Sequence, residues 1–483
     1  MTVDGLEFCV DTVSKEATLV TGSYCYSGDI KVPEKITDGG VEYTVTALGD
    51  ECFSYCSGLT SITIPSSVTR LGYSCFEDCT ALTSIDIPSS VTSLGDNCFN
   101  LCTELRGIDI PSSVTSLDDS CFMYCMSLES IDIPSTVTSL GDNCFLGCSR
   151  LTGIDIPSTV TTLGSGCFSY CSGLTSIDIP STVTSLEDEC FEGCTGLTSI
   201  TIPSSVTSLG SRCFSYCSGL TRIDIPSSVT SLGWNCFESC TGLTSIDIPS
   251  SVTMLNGFSG CTSLRSIDIP SSVTTLGSDC FSGCTGLTSI DIPSSVTSLG
   301  DGCFYGCTGL RSIDIPSTVT SLEDECFEGC TGLTSIDILS TVTSLGKQCF
   351  YGCTGLLSII CENPNPPSVG FRAFEDDTYS NSTLYVPGVA AYQAADGWQN
   401  FKNIKKIATD DISAAKMRGV VVAAEGGIVT VSGLSDGAKV EFFSIDGKLI
   451  GAEKANSGTA SIKTSEHVVI CKVGRKNIKI LVK

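Results

Sequence analysis

Residues 167–189 read CFSYCSGLTSIDIPSTVTSLEDE, and nearly the same 23 letters begin again at Cys190. The step between the phenylalanines of successive copies is 23 residues, except between Phe237 and Phe258, where it is 21 and the first cysteine is missing. A repeat of this length predicts a solenoid, in which each copy forms one coil and buries its apolar side chains against the next coil. The phenylalanines that mark the copies are Phe53, Phe76, Phe99, Phe122, Phe145, Phe168, Phe191, Phe214, Phe237, Phe258, Phe281, Phe304, Phe327 and Phe350.

The first part of each copy has the pattern of a strand. In residues 82–88, Ile85 and Ile87 flank Asp86, which gives the two-residue period of a half-buried strand. Pro88 ends the strand because proline has no N–H for a ladder. Copies that stack in register would join these strands into a parallel sheet.

The second part of each copy, which holds the two cysteines, predicts a short helical turn. Cys98, Cys102 and Leu105 lie at positions i, i+4 and i+7, which share one face of a helix. We therefore predict that each coil consists of a strand, a turn, a short helix or 3₁₀ segment and a second turn. The whole array is predicted to be an α/β solenoid.

The ends of the array differ from its middle. Ala373 and Phe374 replace Cys-Phe near the end, and Tyr392, Trp398 and Phe401 follow in a short predicted helix. Atypical end copies with bulky side chains close the open core of a solenoid. We predict four parts: an N-terminal cap with a degenerate first repeat at 1–48, regular repeats at 49–361, a C-terminal cap at 362–407, and a separate domain at 408–483.

Charge is concentrated in the repeats. Residues 36–346 contain 34 Asp and Glu, seven Arg and no Lys, a net charge of −27. Such a surface repels phosphate, so we predict no nucleic-acid partner; solubility alone is the other interpretation of the charge. The sequence has no run of about 18 apolar residues, so no transmembrane segment is predicted. The first residues, MTVDGLEFCVDT, lack the basic and apolar segments of a signal peptide.

The chain has 31 cysteines, and three interpretations of them compete. Free thiols would act as small buried apolar groups, which is the interpretation we prefer. Disulfides between coils are a second interpretation, whereas residues four apart on one helical turn point nearly parallel and are poorly placed for a bond. Zinc would require closer pairs and a fourth ligand, so we predict no specific metal site and no cofactor.

A row of carboxylates runs along the predicted sheet. In register, neighbouring carboxylates would repel one another by roughly 0.8 kcal/mol even in water. The row is either a solvated face with diffuse counter-ions or a cation-binding face, and both interpretations stay open. Its members are Asp86, Asp109, Asp132, Asp155, Asp178, Asp224, Asp247, Asp268, Asp291, Asp314 and Asp337.

The positions beside Cys-Phe vary between copies and carry large aromatic side chains. Exposed Tyr and Trp are good anchors for a partner, so a ligand that is recognised by individual side chains would bind along this edge. Neutral variation at permissive positions is the alternative. The candidate ligand-binding residues are Tyr55, Tyr124, Tyr170, Tyr216, Trp234, Tyr305 and Tyr351.

The sequence contains no recognisable set of catalytic residues. The only histidine, His467, lies outside the repeats, which excludes a Cys-His or Ser-His pair on the solenoid. A row of equivalent carboxylates gives no environment that separates one pKa from another, as acid/base catalysis requires. We predict that the chain is not an enzyme.

Residues 408–483 have the pattern of a small β-sandwich. Short alternating runs such as GIVTVSGL and KVEFFSIDGKLIGAEK predict antiparallel strands. Asp446-Gly447 between two such runs is a strong hairpin signal, and Gly474-Arg475 predicts a second turn.

The repeat unit L-x-x-I-x-I-P-x-x-V-x-x-L-G-x-x-x-F-x-x-C resembles the leucine-rich repeats of BspA-like surface proteins over residues 20–407. Members of that family commonly have alanine at the first cysteine. The resemblance implies a right-handed solenoid with a parallel sheet on its concave side. It also implies a secreted or cell-surface binding protein, adhesin-like, with host or matrix proteins or glycans as partners.

Residues 408–483 are similar to the C-terminal sorting domain of type IX secretion in Bacteroidetes. The usual G-x-Y before the penultimate strand is replaced here by Glu466-His467-Val468. The resemblance implies that this domain directs export or surface attachment of the solenoid. The alternative to a binding protein is a structural spacer that displays its tail without a ligand of its own.

Overall fold

The structure is a computed structural model that describes residues 1–407, 421–425, 428–432, 434, 438–444, 448–456, 459–464, 468–473 and 476–481. The chain divides into two compact units, Met1–Lys405 and Lys406–Lys483. The first contains the repeats and both of their ends, and the second contains the strands predicted in the tail.

The N-terminal end is a small sheet that passes directly into the solenoid. Its strands alternate buried and exposed residues, and Phe8, Leu19 and Val45 reach the core. The first pairings are antiparallel, but the third and sixth strands pair in parallel and so start the parallel stacking of the coils. Its strands here are β1 (Thr2–Val3), β2 (Leu6–Asp11), β3 (Glu16–Val20), β5 (Lys35–Asp38) and β6 (Val41–Leu48), whereas β4 (Ser27–Lys31) pairs in parallel with Gly58–Thr63.

Two parallel ladders then run through the coils. The first passes through the predicted Ile-Asp-Ile strand, where a bridge joins Asp132 to Asp155 one coil later. Its longer pieces are β7 (Gly58–Thr63), β18 (Ser335–Ile338), β20 (Ser358–Cys361), β22 (Thr383–Val386) and β23 (Asn403–Lys406). The parallel solenoid predicted from the repeat is therefore confirmed.

The second ladder is formed by two-residue strands, most of them at the Ser-Leu or Thr-Leu of a copy, and the leucines of these strands are buried. Ser139 lies opposite Thr162, which is the 23-residue register, and Met254 lies opposite Thr275 across the short copy. These strands are β8 (Arg70–Leu71), β9 (Ser93–Leu94), β10 (Ser139–Leu140), β11 (Thr162–Leu163), β12 (Ser208–Leu209), β13 (Ser231–Leu232), β14 (Met254–Leu255), β15 (Thr275–Leu276), β16 (Ser298–Leu299), β17 (Ser321–Leu322), β19 (Ser344–Leu345) and β21 (Ser368–Val369).

The phenylalanines form one continuous stack through the core. From Phe53 to Phe374, neighbouring ring centroids are 5.3–5.7 Å apart and the rings are within 14° of parallel, an offset-stacked arrangement. The short copy does not break the stack, because the amide of Phe237 bonds the carbonyl of Gly257 at 2.9 Å and Phe258 stays 5.4 Å from Phe237. A deletion of two residues is thus absorbed at the surface.

The predicted helical turn at the cysteines is wrong. Among the described residues of the repeats, this segment forms separate hydrogen-bonded turns instead of a helix. The reason is its backbone: the residue before the first cysteine and the residue before the second have positive φ in coil after coil, as at Asn143 (56°) and Gly147 (75°). Two left-handed residues within five positions are incompatible with a right-handed helix.

The C-terminal end of the solenoid packs aromatic side chains against the last stacked ring. Tyr392, Trp398 and Phe401 are buried, and Trp398 and Phe401 contact the last stacked ring, Phe374, with centroids 5.8 and 5.2 Å away. The Trp398 indole N–H donates to the carbonyl of Pro367 at 2.8 Å, which satisfies its buried polar atom. The helices here are α1 (Asp376–Asn381), α2 (Val389–Gln393) and a 3₁₀ turn, Trp398–Asn400.

The second unit is a small all-β domain, as predicted. Its two antiparallel sheets, with strand orders β24-β25-β28 and β27-β26-β29-β30, share a core that includes Val429, Val431, Val440 and Phe442. Residues 446–447 and 474–475 lie outside the described residues, but the strands on either side of each pair antiparallel. The strands are β24 (Val421–Glu425), β25 (Ile428–Ser432), β26 (Lys439–Ser444), β27 (Leu449–Lys454), β28 (Thr459–Lys463), β29 (Val468–Val473) and β30 (Lys476–Leu481).

Candidate binding surface

The tyrosines of the variable edge occupy a backbone position of an unusual kind. In every copy, the residue before the second cysteine has positive φ; we call this set the left-handed column. Glycine is the residue that adopts this conformation freely, and it costs a residue with a side chain about 1–2 kcal/mol. The column consists of Tyr55, Asp78, Leu101, Tyr124, Gly147, Tyr170, Gly193, Tyr216, Ser239, Gly260, Gly283, Gly306, Gly329 and Gly352.

Tyrosine and glycine alternate in the middle of the left-handed column. Tyr124, Gly147, Tyr170, Gly193 and Tyr216 follow one another at one-coil steps. Each of the first two rings extends over the glycine of the next coil: the Cδ1 atom of Tyr170 lies 2.6 Å from the point that a Cβ of Gly193 would occupy, so the glycine is required by the ring.

The alternation creates an open groove of about 630 Å³. The three tyrosines form one side, and the residues that follow the second cysteines form the other, with mainly apolar surface between them. Tyr170 and Tyr216 are 51% and 43% exposed, so their rings are available to a ligand. We call this site the tyrosine groove: Tyr124, Met126, Gly147, Ser149, Tyr170, Ser172, Gly193, Thr195 and Tyr216.

One buried carboxylate lies close to a tyrosine of the groove. Glu192 is only 5% exposed, and its carboxylate lies close to Tyr170. Burial raises the pKa of the Glu192 carboxyl, and the neighbouring charge of Glu189 raises it further, while Arg212 and the Tyr170 hydroxyl act in the opposite direction. The same burial and the charge of Glu192 raise the pKa of Tyr170, so the tyrosine stays protonated at neutral pH.

The other predicted aromatic residues lie outside the groove. Tyr55 belongs to the left-handed column but is three coils away from the nearest other tyrosine of the column, with Asp78 and Leu101 between them. Tyr305 and Tyr351 directly follow their phenylalanines, one position earlier than the column. The predicted set is therefore not one site, and only three of its seven members come together.

Two of these outlying aromatic residues already have a cation on their ring. The guanidinium of Arg372 lies 4.5 Å from the ring centroid of Tyr351 and also donates to its hydroxyl at 2.8 Å. The guanidinium of Arg212 lies 5.4 Å from the ring of Trp234, which is 52% exposed. Aromatic faces on this edge thus attract the few arginines that the chain has.

The aspartate row lies on the first ladder, as the strand pattern predicts. Its members face solvent at one-coil steps, except Asp337, which is half-buried. Arg222 donates two hydrogen bonds to one oxygen of Asp224, at 3.0 and 3.1 Å, so that carboxylate is partly neutralised. The role of the row as a cation-binding face stays a prediction. In the part of the chain that the structure describes, no group of three or more His, Cys, Asp or Glu is arranged to hold a metal ion.

The cysteines of the repeats are buried free thiols, as the preferred interpretation predicts. Only Cys9 and Cys25 are exposed. Apart from Cys75, which has hydrogen bonds to Cys52 and Cys98, burial raises the pKa of the repeat thiols, for example to about 12 at Cys171 and Cys217, so they stay protonated and unreactive.

The groove itself was not predicted from the sequence. Its glycines and Met126 were not among the candidate residues, although a signal for them existed. Aligning the copies shows glycine at 147 and 193 in the position that is tyrosine at 124, 170 and 216. That alternation forms a groove only because the position has positive φ, and the amino-acid sequence does not reveal this conformation.

Comparison with known proteins agrees with this fold. A family model described as "BspA type Leucine rich repeat region" matches residues 22–152, 138–257 and 255–381. A leucine-rich repeat protein from Bacteroides ovatus is 28% identical with a TM-score of 0.66, and the match covers 84% of this chain and 100% of that one. A leucine-rich cell surface protein from Faecalibacterium prausnitzii is 27% identical with a TM-score of 0.44 over 85% of this chain and 95% of that one. No curated protein sequence matches the chain.

The described residues contain no helix that is both long and apolar enough to span a membrane.

Proposed function

Because the chain belongs to the BspA-type leucine-rich repeat family, we propose that it is a secreted or cell-surface binding protein of the adhesin kind. Its partners are host or extracellular-matrix proteins or glycans, which it contacts through the edge of the solenoid that carries the tyrosine groove. The matching relatives are leucine-rich repeat proteins, a scaffold class that acts by binding, and we propose no catalytic activity for this chain.

One observation carries this proposal. Three tyrosines occupy left-handed positions in one groove, although glycine occupies the same position in seven other copies. The three positions together cost about 3–6 kcal/mol of backbone strain if each costs 1–2 kcal/mol. Positive φ also occurs at residues with side chains outside the groove, so the exposed rings are what supports a binding surface, because large exposed aromatic side chains are typical anchors of such surfaces.

The role of the second unit is part of the proposal. Its resemblance to a type IX sorting domain supports a function in export or attachment, with the solenoid as the exported part. The two antiparallel sheets that share one core are consistent with an independently folded sorting domain. Detection of the chain by antibody on intact source cells or in their medium tests this localisation, and a purely cytosolic signal would contradict it.

The binding role is tested by a solid-phase assay. Purified extracellular-matrix proteins and glycans are immobilised, and retention of the full chain is compared with that of the triple variant Tyr124→Gly, Tyr170→Gly, Tyr216→Gly. We expect the native protein to bind at least one panel member and the variant to bind it less. If native protein binds none, the alternative of a display scaffold without its own ligand is favoured.

A further inference from the structure

We infer that the tyrosine groove binds an extended polypeptide segment that carries arginine or lysine side chains. This inference rests on the proposed binding function and specifies the chemistry of its partner. The groove has an apolar floor, tyrosine rings along one side and a solenoid with excess negative charge around it; the rings and the charge favour a basic peptide over an acidic one.

The charge of the solenoid is complementary to a basic partner. Residues 36–346 carry 34 acidic side chains against seven arginines and no lysine. Near the groove, Glu189, Glu238 and Arg212 all lie close enough to Glu192 to shift its pKa, so three carboxylates accompany one cation there. At the other end, Arg150 lies 3.8 Å from Glu129 and is neutralised by it. A cationic segment would therefore be attracted to the groove, and the attraction would weaken with salt.

The aromatic residues outside the groove show how a cation of the partner would contact a ring in the groove. Arg372 on Tyr351 and Arg212 on Trp234 are contacts between a guanidinium and an exposed ring of the same edge. Tyr124, Tyr170 and Tyr216 form no such contact among the described residues. We infer that a cation supplied by the partner occupies the faces that the chain's own arginines leave open.

The dimensions of the groove fit an extended chain. The tyrosines stand two coils apart, and one coil step in this region is about 5.6 Å, as measured between stacked phenylalanine rings. The distance from Tyr124 to Tyr216 therefore takes roughly seven residues of extended polypeptide at about 3.3 Å each. Gly147 and Gly193 add no side chains to the groove, and the rings of Tyr124 and Tyr170 lie over them.

The test is a titration of the full chain with a labelled peptide of alternating arginine and glycine, about nine residues long, followed by fluorescence anisotropy. Peptides in which glutamine or glutamate replaces arginine serve as ligand controls. We expect binding of the arginine peptide only, with affinity that falls as NaCl rises from about 0.05 M to about 0.5 M. Tyr170→Gly should lower the affinity about fivefold, because one cation–π contact is lost.

A matched variant separates the groove from the rest of the acidic surface. Tyr55→Gly makes the same substitution in the left-handed column outside the groove, so we expect it to bind the arginine peptide like the native protein. Equal losses in the two variants, or no loss in Tyr170→Gly, would show that the peptide binds elsewhere, for instance on the aspartate row, and would overturn the inference.

The solid-phase assay and the peptide titration together separate failure of the basic-peptide inference from failure of the proposed binding function. If the native chain binds a matrix protein in the solid-phase assay but the arginine peptide neither binds nor competes, the binding function stands and the basic partner is wrong. If the arginine peptide competes with that matrix protein for the chain, and Tyr170→Gly weakens both, the inference is supported.

Discussion

The thiol of Cys171 donates a hydrogen bond of 3.1 Å to the backbone carbonyl of Phe145 in the preceding coil. The same bond recurs through the repeats, for example from Cys148 to Phe122 and from Cys194 to Phe168. Cys167, the first cysteine of the same copy as Cys171, is equally buried but forms no hydrogen bond of this kind. The two cysteines of a copy therefore have different roles: one fills space, and the other also links coils.

This difference predicts opposite effects of two substitutions at the paired sites. Cys171→Ala should lower the free energy of unfolding by about 1 kcal/mol more than Cys167→Ala, because only the former removes a hydrogen bond. With serine the order should reverse, since the hydroxyl of Cys171→Ser can still donate to Phe145 whereas that of Cys167→Ser is buried without a partner. Urea denaturation midpoints of the four variants test this, and the same order for alanine and serine would contradict it.

The close contact between Tyr170 and Gly193 predicts that the glycine cannot be replaced. Gly193→Ala would place a Cβ near 2.6 Å from the tyrosine ring at a φ of 68°, so we expect a loss of about 2 kcal/mol and displacement of the ring. Gly153→Ala is the matched control, because it has no positive φ and its nearest neighbour would be 4.0 Å away. Equal thermal midpoints for the two variants would show that the ring does not lie over the glycine.

Burial of the thiols predicts a chain that is unstable in alkali. The pKa of Cys171, Cys217 and Cys261 rises from 9.0 to about 12 in the folded state. Because these folded pKa values are raised, the contribution to stability is complete below pH 9 and is lost as the pH rises from 9 towards 12. Each thiol contributes a loss of about 1.4 kcal/mol per pH unit in that window. Many equivalent thiols should therefore unfold the protein within one or two pH units above 9.

Circular dichroism as a function of pH, with a reductant present, measures this transition. Replacing several first cysteines by alanine, the residue that this chain itself has at Ala373, should move the transition to higher pH. A native spectrum that persists at pH 12 would contradict the burial of neutral thiols.

Accessibility of the thiols gives a separate prediction. In the native protein, only Cys9 and Cys25 are exposed, so a thiol reagent such as 5,5′-dithiobis(2-nitrobenzoate) should modify two cysteines quickly at pH 8. All 31 should react after denaturation. Rapid modification of many thiols without denaturant would mean that the coils open, and fewer reactive thiols after denaturation would indicate disulfides.

The solenoid was predictable from sequence because its signal is redundant. The phenylalanines recur at an almost constant step along the sequence. Because each ring stacks on the ring of the next copy, as Phe168 does on Phe145, the segment between two phenylalanines must form one coil. The predicted helix failed because the left-handed positions are occupied by residues as different as Asn143, Glu189 and Gly166, so composition does not reveal them.

The groove was less predictable than the fold. Tyr124, Tyr170 and Tyr216 were recognised individually, but their assembly depends on which backbone position each occupies and on what lies one coil away. Trp234 and Tyr305 looked equivalent in the sequence and lie at other positions of the coil. Contacts such as that of Arg212 with Trp234 join residues 22 positions apart, and no local pattern indicates them.

The central claim is that the groove tyrosines are kept at left-handed positions for binding and not for packing. The measurement that tests it most directly is the unfolding free energy of the triple variant Tyr124→Gly, Tyr170→Gly, Tyr216→Gly. Relief of about 1–2 kcal/mol of strain at each site should offset the roughly 1 kcal/mol lost with each half-buried ring. We therefore predict a variant at least as stable as the native protein. A loss of several kcal/mol would show that the rings are structural and would contradict the account.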